Sequence, residues 1–340
     1  MKYSKYILLT LSIISVACSK DEDSQIFSEQ AYDIHVVGNI TTENTNLTKA
    51  MYWKNNIPTL LDQSENESTA TAVVVVNNDV YISGSSNYKA CYWKNGNIVY
   101  LPEGSEAHDI KVVGADVYAA GENNYVACYW KNGVKTSLAE SQNESRAYAI
   151  SVVGNDVYVS GTQSLGKYGY NFLAFYWKNN EAVILDDYQG FAYDILSSGN
   201  DIYVAGDAYK ENSSNSNYFA YWKNDVGIYV SLEKDQNKIY TYGLTVVNND
   251  VYVAGYIHSY MIHEAAYWKN GKTHLLFNAS GSQRTDANDI EVVDNSVFVC
   301  GSEEAENQPV KPKIWVNNKE TFLSGDIKEG VALGICVVKK

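Results

Sequence analysis

The chain has 340 residues, 45% of them apolar and 29 of them tyrosine, which is enough to build one large core or two ordinary ones. Its 26 Lys and Arg stand against 40 Asp and Glu, a formal charge of −14 with no basic stripe, which argues against a nucleic-acid partner. With only 4 prolines and no stretch of linker composition, a single folded domain is expected.

Residues 1–17 read as a signal peptide rather than as part of the fold. Met1-Lys2-Tyr3-Ser4-Lys5 is a positive leader, and Tyr6 to Val16 is an apolar run too short to span a bilayer as a mature helix. The run ends at Ser15-Val16-Ala17-Cys18. This junction resembles the lipobox of bacterial lipoproteins, with Ser15 departing from the usual Leu. The resemblance implies a lipidated (palmitate-bearing) Cys18, an outer-membrane location and the membrane itself as a partner. Residues 18–28 then form a lipidated acidic tether. Its Ser19-Lys20-Asp21-Glu22-Asp23 resembles the surface-export signal of Bacteroidota lipoproteins and implies display on the cell surface; the alternative is a solvated charged spacer.

Residues 29–340 are organised around one phrase, a small residue, a gap of one, then Tyr-Trp-Lys-Asn, first met as Ala50-Met51-Tyr52-Trp53-Lys54-Asn55. It recurs around Trp93, Trp130, Trp177, Trp222 and Trp268 and degenerates at Ile314-Trp315-Val316-Asn317, taking up all 7 tryptophans. The spacings of 40, 37, 47, 45, 46 and 47 residues are those of propeller blades or a solenoid. Both alternating sides of the phrase are apolar, as in a strand buried on two faces. Asn95-Gly96, Asn132-Gly133 and Asn270-Gly271 supply the positive φ angles of type I′ hairpins, and a short outer strand follows. Upstream, a hairpin pairs segments such as Ala147 to Val153 with Asp156 to Gly161. Each period therefore contains four antiparallel strands, here called a to d from inside to outside, and four such strands make a propeller blade.

Ala332-Leu333-Gly334-Ile335-Cys336-Val337-Val338 is a strand a with no b, c or d behind it, while the first repeat begins at strand b. The two complete one another, which removes exposed sheet edges. The expectation is an all-β, seven-bladed propeller closed by its C-terminal strand. The period is kelch-like, but the double Gly of kelch and the Trp-Asp of WD repeats are missing. The Tyr-Trp-Lys-Asn-Gly phrase of residues 31–338 also resembles the HAF-type repeats of extracellular bacterial proteins, a likeness that implies repeat type and no particular activity.

Cys91 and Cys128 share one apolar slot in successive repeats and are expected to be buried free thiols, too far apart to bridge. Cys300 and Cys336, in repeats expected to be neighbours, come closer to pairing. His258 and His263 with Glu264 match no zinc spacing, and no metal or other cofactor is expected. Asp109, Asp194 and Asp289 recur in strand a, either as a carboxylate ring at the channel mouth or as acceptors of backbone N–H groups. No phosphate loop, nucleophile elbow or metalloprotease motif is present.

The a–b and c–d turns are short and uniform; the b–c loops vary and therefore carry the candidate ligand groups. These are Tyr168, Tyr170, Tyr209, Tyr218, Tyr256, His258, Tyr260 and His263, weighted toward blades 4 to 6. Near the channel mouth His108, Tyr148, Tyr193, Tyr242 and Asn288 occupy one repeated slot, where packing between blades is the alternative role. The sequence thus predicts a monomeric, non-catalytic module that binds a glycan, peptide or protein on its loop face. The competing class is a carbohydrate-active lyase or hydrolase with its site on that face.

Overall fold

The computed structural model describes residues 31–42, 45–140, 144–164, 172–209, 217–230, 238–260, 262–282 and 284–340. Among these the secondary structure is strand and turn without helix, and neighbouring strands are antiparallel apart from one bridge. The second repeat shows the pattern: Ser68–Val76, Asp79–Ser86, Lys89–Lys94 and Asn97–Tyr100 pair in that order as one four-stranded sheet. The third repeat does the same. Glu181–Ser198 is one continuous strand that ends the fourth repeat and begins the fifth, so those two share a seven-stranded sheet. A parallel bridge between His263 and Arg284 joins the sixth and seventh. The first sheet holds Tyr32–Thr42, Thr45–Lys54 and Ile57–Leu60, and the C-terminal Glu329–Lys339 lies along Tyr32–Thr42 as its fourth strand.

Each letter of the repeated phrase has a local task. Asn132 and Gly133 have φ of 50° and 79°, the two positive values that a type I′ turn requires. The Asn132 side chain accepts from the Val117 N–H at 2.9 Å and donates to Asp116 at 2.7 Å. Lys131 reaches the same Asp116 at 3.0 Å and lies 5.1 Å from the centre of the Tyr118 ring. The set recurs with Asp79, Lys94 and Asn95, and with Asp201, Lys223 and Asn224. The cations and amides around Asp79, Asp116, Asp156, Asp201 and Asp250 hold these carboxyls below their ordinary range. The phrase therefore bolts the c–d turn onto strand b.

All seven tryptophans are buried. Each apolar cluster lies between consecutive repeats. Ala90, Cys128 and Trp130 share one, Val37, Ala50, Cys91 and Trp93 another, and Ile34 and Trp53 pack with Phe298 and Ile314 of the last repeat. The indole N–H groups of Trp53, Trp130 and Trp315 cross the same interfaces, donating to the carbonyls of Ser324, Pro102 and Phe277 at 2.7–2.8 Å. In the last repeat the apolar slot of Cys91 and Cys128 is filled by Lys313. This buried ammonium meets the carboxylates of Glu303 and Glu320 and lies 5.0 Å from the Trp315 ring. Cys91, Cys128, Cys300 and Cys336 are all free thiols, so the Cys300–Cys336 bridge does not form.

The first strands of repeats 2 to 7 and the C-terminal strand line one central cavity of about 360 Å³. In every one of them the ladder slips by a residue. The register jumps from Ala70 to Ala72, Ala107 to Asp109, Ala147 to Ala149, Ala192 to Asp194, Thr241 to Leu244 and Ala287 to Asp289, and from Gly334 to Ala332 at the C-terminus. These are β-bulges, which leave a residue unpaired and re-aim its side chain. The strand b residue opposite is glycine each time, and a Cβ on Gly84, Gly161 or Gly255 would sit 1.9 Å from a strand a carbonyl oxygen.

A channel mouth lined by bulge residues

The bulges account for the repeated slot. Thr71, His108, Tyr148, Tyr193, Tyr242, Asn288 and Leu333, one from each repeat, surround a mouth of about 430 Å³. Their rings make an arc. Centroids are 5.8 Å apart for His108 and Tyr148, 5.4 Å for Tyr148 and Tyr193, and 5.3 Å for Tyr193 and Tyr242. The arc continues to Tyr256 at 6.2 Å and ends where Tyr256 stacks on His263 at 4.4 Å. His258 meets His263 edge-on at 4.8 Å. Tilted and offset rings at such distances are the favoured aromatic geometries. Burial raises the phenol pKa of Tyr148 and Tyr242, and pushes that of Tyr256 up to about 12. Burial likewise lowers the pKa of His258.

The three strand a aspartates sit just below. Each carboxylate accepts two backbone N–H groups, one from its own strand and one from the next repeat. Asp109 takes Ile110 at 2.7 Å and Ile150 at 2.8 Å; Asp194 takes Ile195 and Leu244, both at 2.7 Å; Asp289 takes Ile290 at 2.8 Å and Ile335 at 2.9 Å. They staple neighbouring first strands, the second of the two roles open from sequence. Desolvation raises all three pKa values, that of Asp194 to about 7 with a further contribution from the Asp109 charge. Among the described residues no group of three metal-ligating side chains converges. His263 pairs instead with Asp286 at 3.0 Å, and burial raises that carboxyl.

Beside the mouth, across repeats 2 to 4, opens a larger cleft of about 540 Å³. His108 belongs to both. Glu122, the last residue of strand b and next to Gly121, places its Oε2 3.9 Å from His108 Nε2 and 3.4 Å from Arg146 Nε. Neither His108 Nε2 nor Glu122 Oε2 has a hydrogen-bond partner, although both atoms are buried. Thr69 donates to Glu106 at 3.3 Å and shares a 2.8 Å bond with Ser85. At the rim stand Tyr88 and Tyr125, 74% and 54% exposed, at the tips of the b–c hairpins. Their φ values are 57° and 64°, after Asn87 and Asn124 at 51° and 48°. A bulky residue in this left-handed region is an outlier that costs of order 1–3 kcal/mol. Tyr260, 75% exposed in repeat 6, has φ of 56°.

The mouth thus brings together His108, Tyr148, Tyr193 and Tyr242, and ring contacts lead on from it to Tyr256, His263 and His258. Tyr209 and Tyr218 lie in paired strands, and Tyr168, Tyr170 and Cys18 lie outside the described residues. Sequence reasoning missed Glu122, Arg146, Glu106, Tyr88 and Tyr125. The Asn-Tyr pairs were the available signal, since both sit where a tight turn replaces a long loop.

No protein-family profile matches the sequence, and no curated protein matches it. Among solved structures the chain is similar to a puromycin-hydrolyzing peptidase of Mycobacterium tuberculosis, with TM-score 0.55 and 8% identity over 85% of this chain and 51% of that one. It is also similar to TolB from Acinetobacter baumannii, with TM-score 0.48 and 9% identity over 87% of this chain and 65% of that one. A third likeness is to the β-propeller domain of the Trilobed protease from Pyrococcus furiosus, with TM-score 0.46 and 10% identity over 87% and 93%. The chain spans 65% of TolB and about half of the peptidase. Identities this low speak for the fold alone, and the fold is that of an all-β, repeat-built β-propeller.

Proposed function

We propose that the chain is a lipid-anchored outer-membrane protein whose propeller, residues 29–340, is a non-catalytic module binding a glycan, peptide or protein on its loop face. The propeller is read as seven four-stranded blades in a ring closed by the C-terminal strand. Two observations support closure: Glu329–Lys339 pairs with Tyr32–Thr42, and one apolar cluster joins the first repeat to the last. The anchor rests on the positive leader, the short apolar run and the junction at Cys18. Cys18→Ala is expected to move the protein from the membrane to the soluble fraction, and unchanged detergent dependence would exclude the anchor. Protease shaving of intact cells tests display, with full protection excluding it.

The observation that carries the binding role is the arc from His108 to His263, a run of ring edges and polar tips that starts at the mouth and continues beside it. Rings with one apolar side and one wet end suit ligand contact. A glycan and peptide array probed with the full chain tests this, using Tyr256→Ala and His263→Ala. Loss of binding at an unchanged melting temperature is the expected result. Binding that survives both changes but fails when the Asn132-Gly133 turn is altered would move the site to the opposite face. The hydrolytic alternative has one observation in its favour, that Glu106 and Glu122 face each other in register along one cleft. Product analysis on any glycan that binds decides between the two.

A further inference from the structure

We propose that the cleft across repeats 2 to 4, which meets the aromatic arc at His108, is a saccharide subsite of its own that takes a neutral sugar residue. It rests on the reading of the loop face as the ligand face and adds to it a place and a chemistry.

The floor supplies the first reason. The Glu122 side chain is only 10% exposed, and its Oε2, ion-paired with Arg146 Nε at 3.4 Å, accepts no hydrogen bond; His108 Nε2 beside it has no hydrogen-bond partner either. Buried polar atoms left in this state are costly, and each such atom in a folded protein calls for a partner. The gap of 3.9 Å between the two is too long for a direct hydrogen bond. It is short enough for one hydroxyl group to touch both. Arg146, whose guanidinium lies 5.3 Å from the centre of the Tyr125 ring, adds further N–H donors on the same side. Around them Thr69, Ser85 and Ser105 add hydroxyls. Donors and acceptors alternate over a few ångströms, which matches a ligand whose own groups both donate and accept.

The walls supply the second. Tyr88 and Tyr125 occupy equivalent hairpin tips in successive repeats, mostly exposed, each in a backbone conformation that Asn or Gly would adopt with less strain. Neither phenol is needed to fill a core. Planar rings beside a hydroxyl-matching floor offer the two contacts a pyranose makes, its C–H face on an aromatic and its hydroxyls on polar groups. Charge then narrows the class. Glu67, Glu106 and Glu122 outnumber Arg146 in the cleft, so a polyanionic chain is repelled and a neutral sugar is not.

The test titrates the purified full-length protein with neutral methyl glycosides of glucose, galactose, mannose and N-acetylglucosamine, followed by saturation-transfer NMR. The expected result is binding of at least one glycoside, weakened about tenfold or more by Tyr88→Gly with Tyr125→Gly and by Glu122→Gln. The glycine variants relieve the left-handed strain, so their melting temperature is expected to stay level or rise, which separates lost contact from lost fold. If no glycoside binds, or if binding is unchanged in both variants, the subsite is overturned. If a glycoside binds and is lost only in Tyr256→Ala, the subsite fails while the loop face stands. If a lysine-rich peptide binds the cleft and no glycoside does, the sugar is the wrong ligand.

Discussion

The two ends of the strands obey different rules. At the c–d turns the same three side chains recur in repeat after repeat: an aspartate opening strand b, and the lysine and asparagine that close strand c onto it. At the other end the backbone recurs and the side chains do not. One bulge opposite one glycine aims threonine, histidine, tyrosine, asparagine or leucine into the mouth. Repetition of a residue type marks a structural task here. A repeated position with changing occupants marks the surface that meets the outside, because the bulge fixes where a side chain points without fixing what it is.

Several experiments would break or sharpen this contrast. The largest effect is expected from ending the chain at Glu329. That removes Ala332, Ile335 and Val337, buried on the strand that pairs with Tyr32–Thr42. At about 1.5–3 kcal/mol for each large apolar side chain, the loss approaches the typical total of about 5–15 kcal/mol, and thermal unfolding should lose its cooperative transition. A melting curve like that of the intact chain would dismiss the closing strand. Next comes Lys313→Met, which leaves Glu303 buried without its cation and should destabilise by about 3–5 kcal/mol. Adding Glu303→Ile should restore most of that in denaturant titrations, since the Lys313 position is apolar in the other repeats and the Glu303 position is Ile40 in the first and Ile257 in the sixth.

The third concerns pH. The folded state holds the Asp194 proton up to about pH 7, whereas the unfolded carboxyl releases it near 3.8. Stability contributed by this group is therefore lost as pH rises between those values. His35, lowered to about 4 by burial, works the opposite way as pH falls below 6.5. The difference between the wild type and Asp194→Asn isolates the carboxyl: the wild-type melting temperature should fall relative to the variant from pH 4 to 7. A constant offset would mean that Asp194 is ionised throughout. Fourth, Asn132→Ala removes two hydrogen bonds and a residue suited to positive φ, for about 1–2 kcal/mol. It should leave ligand binding alone; an equal loss of binding would erase the distinction between the ends. Tyr148→Phe is expected to change stability least.

The architecture was legible because its signals are local and repeated: the tryptophan period, the Asn-Gly turns, and the alternation that buries both strand faces. The repeated slot at the mouth could be read too, from Ala107-His108-Asp109 and Ala192-Tyr193-Asp194. Its cause could not. A bulge is a relation between two strands, and the glycine that permits it lies 13 residues beyond the bulge residue in repeats 2 to 7. The cleft was harder still, since Glu122, Arg146 and Thr69 come from three different repeats and share no motif. Tyr88 and Tyr125 stood in plain view but at positions where tight turns ordinarily carry Gly.

The aspartate staples have a consequence for where the ring yields. They link the third repeat to the fourth, the fifth to the sixth and the seventh to the C-terminal strand. Alternation of this kind cannot be completed around an odd number. The corresponding position is Gly334 in the C-terminal strand and Ala72 in repeat 2, so both interfaces of repeat 2 lack the staple. The proposed ring thus has a seam, and it runs beneath the cleft. Amide hydrogen exchange should be fastest, among first strands, in Ser68–Val76, and the site there would rest on the part of the wall most able to give.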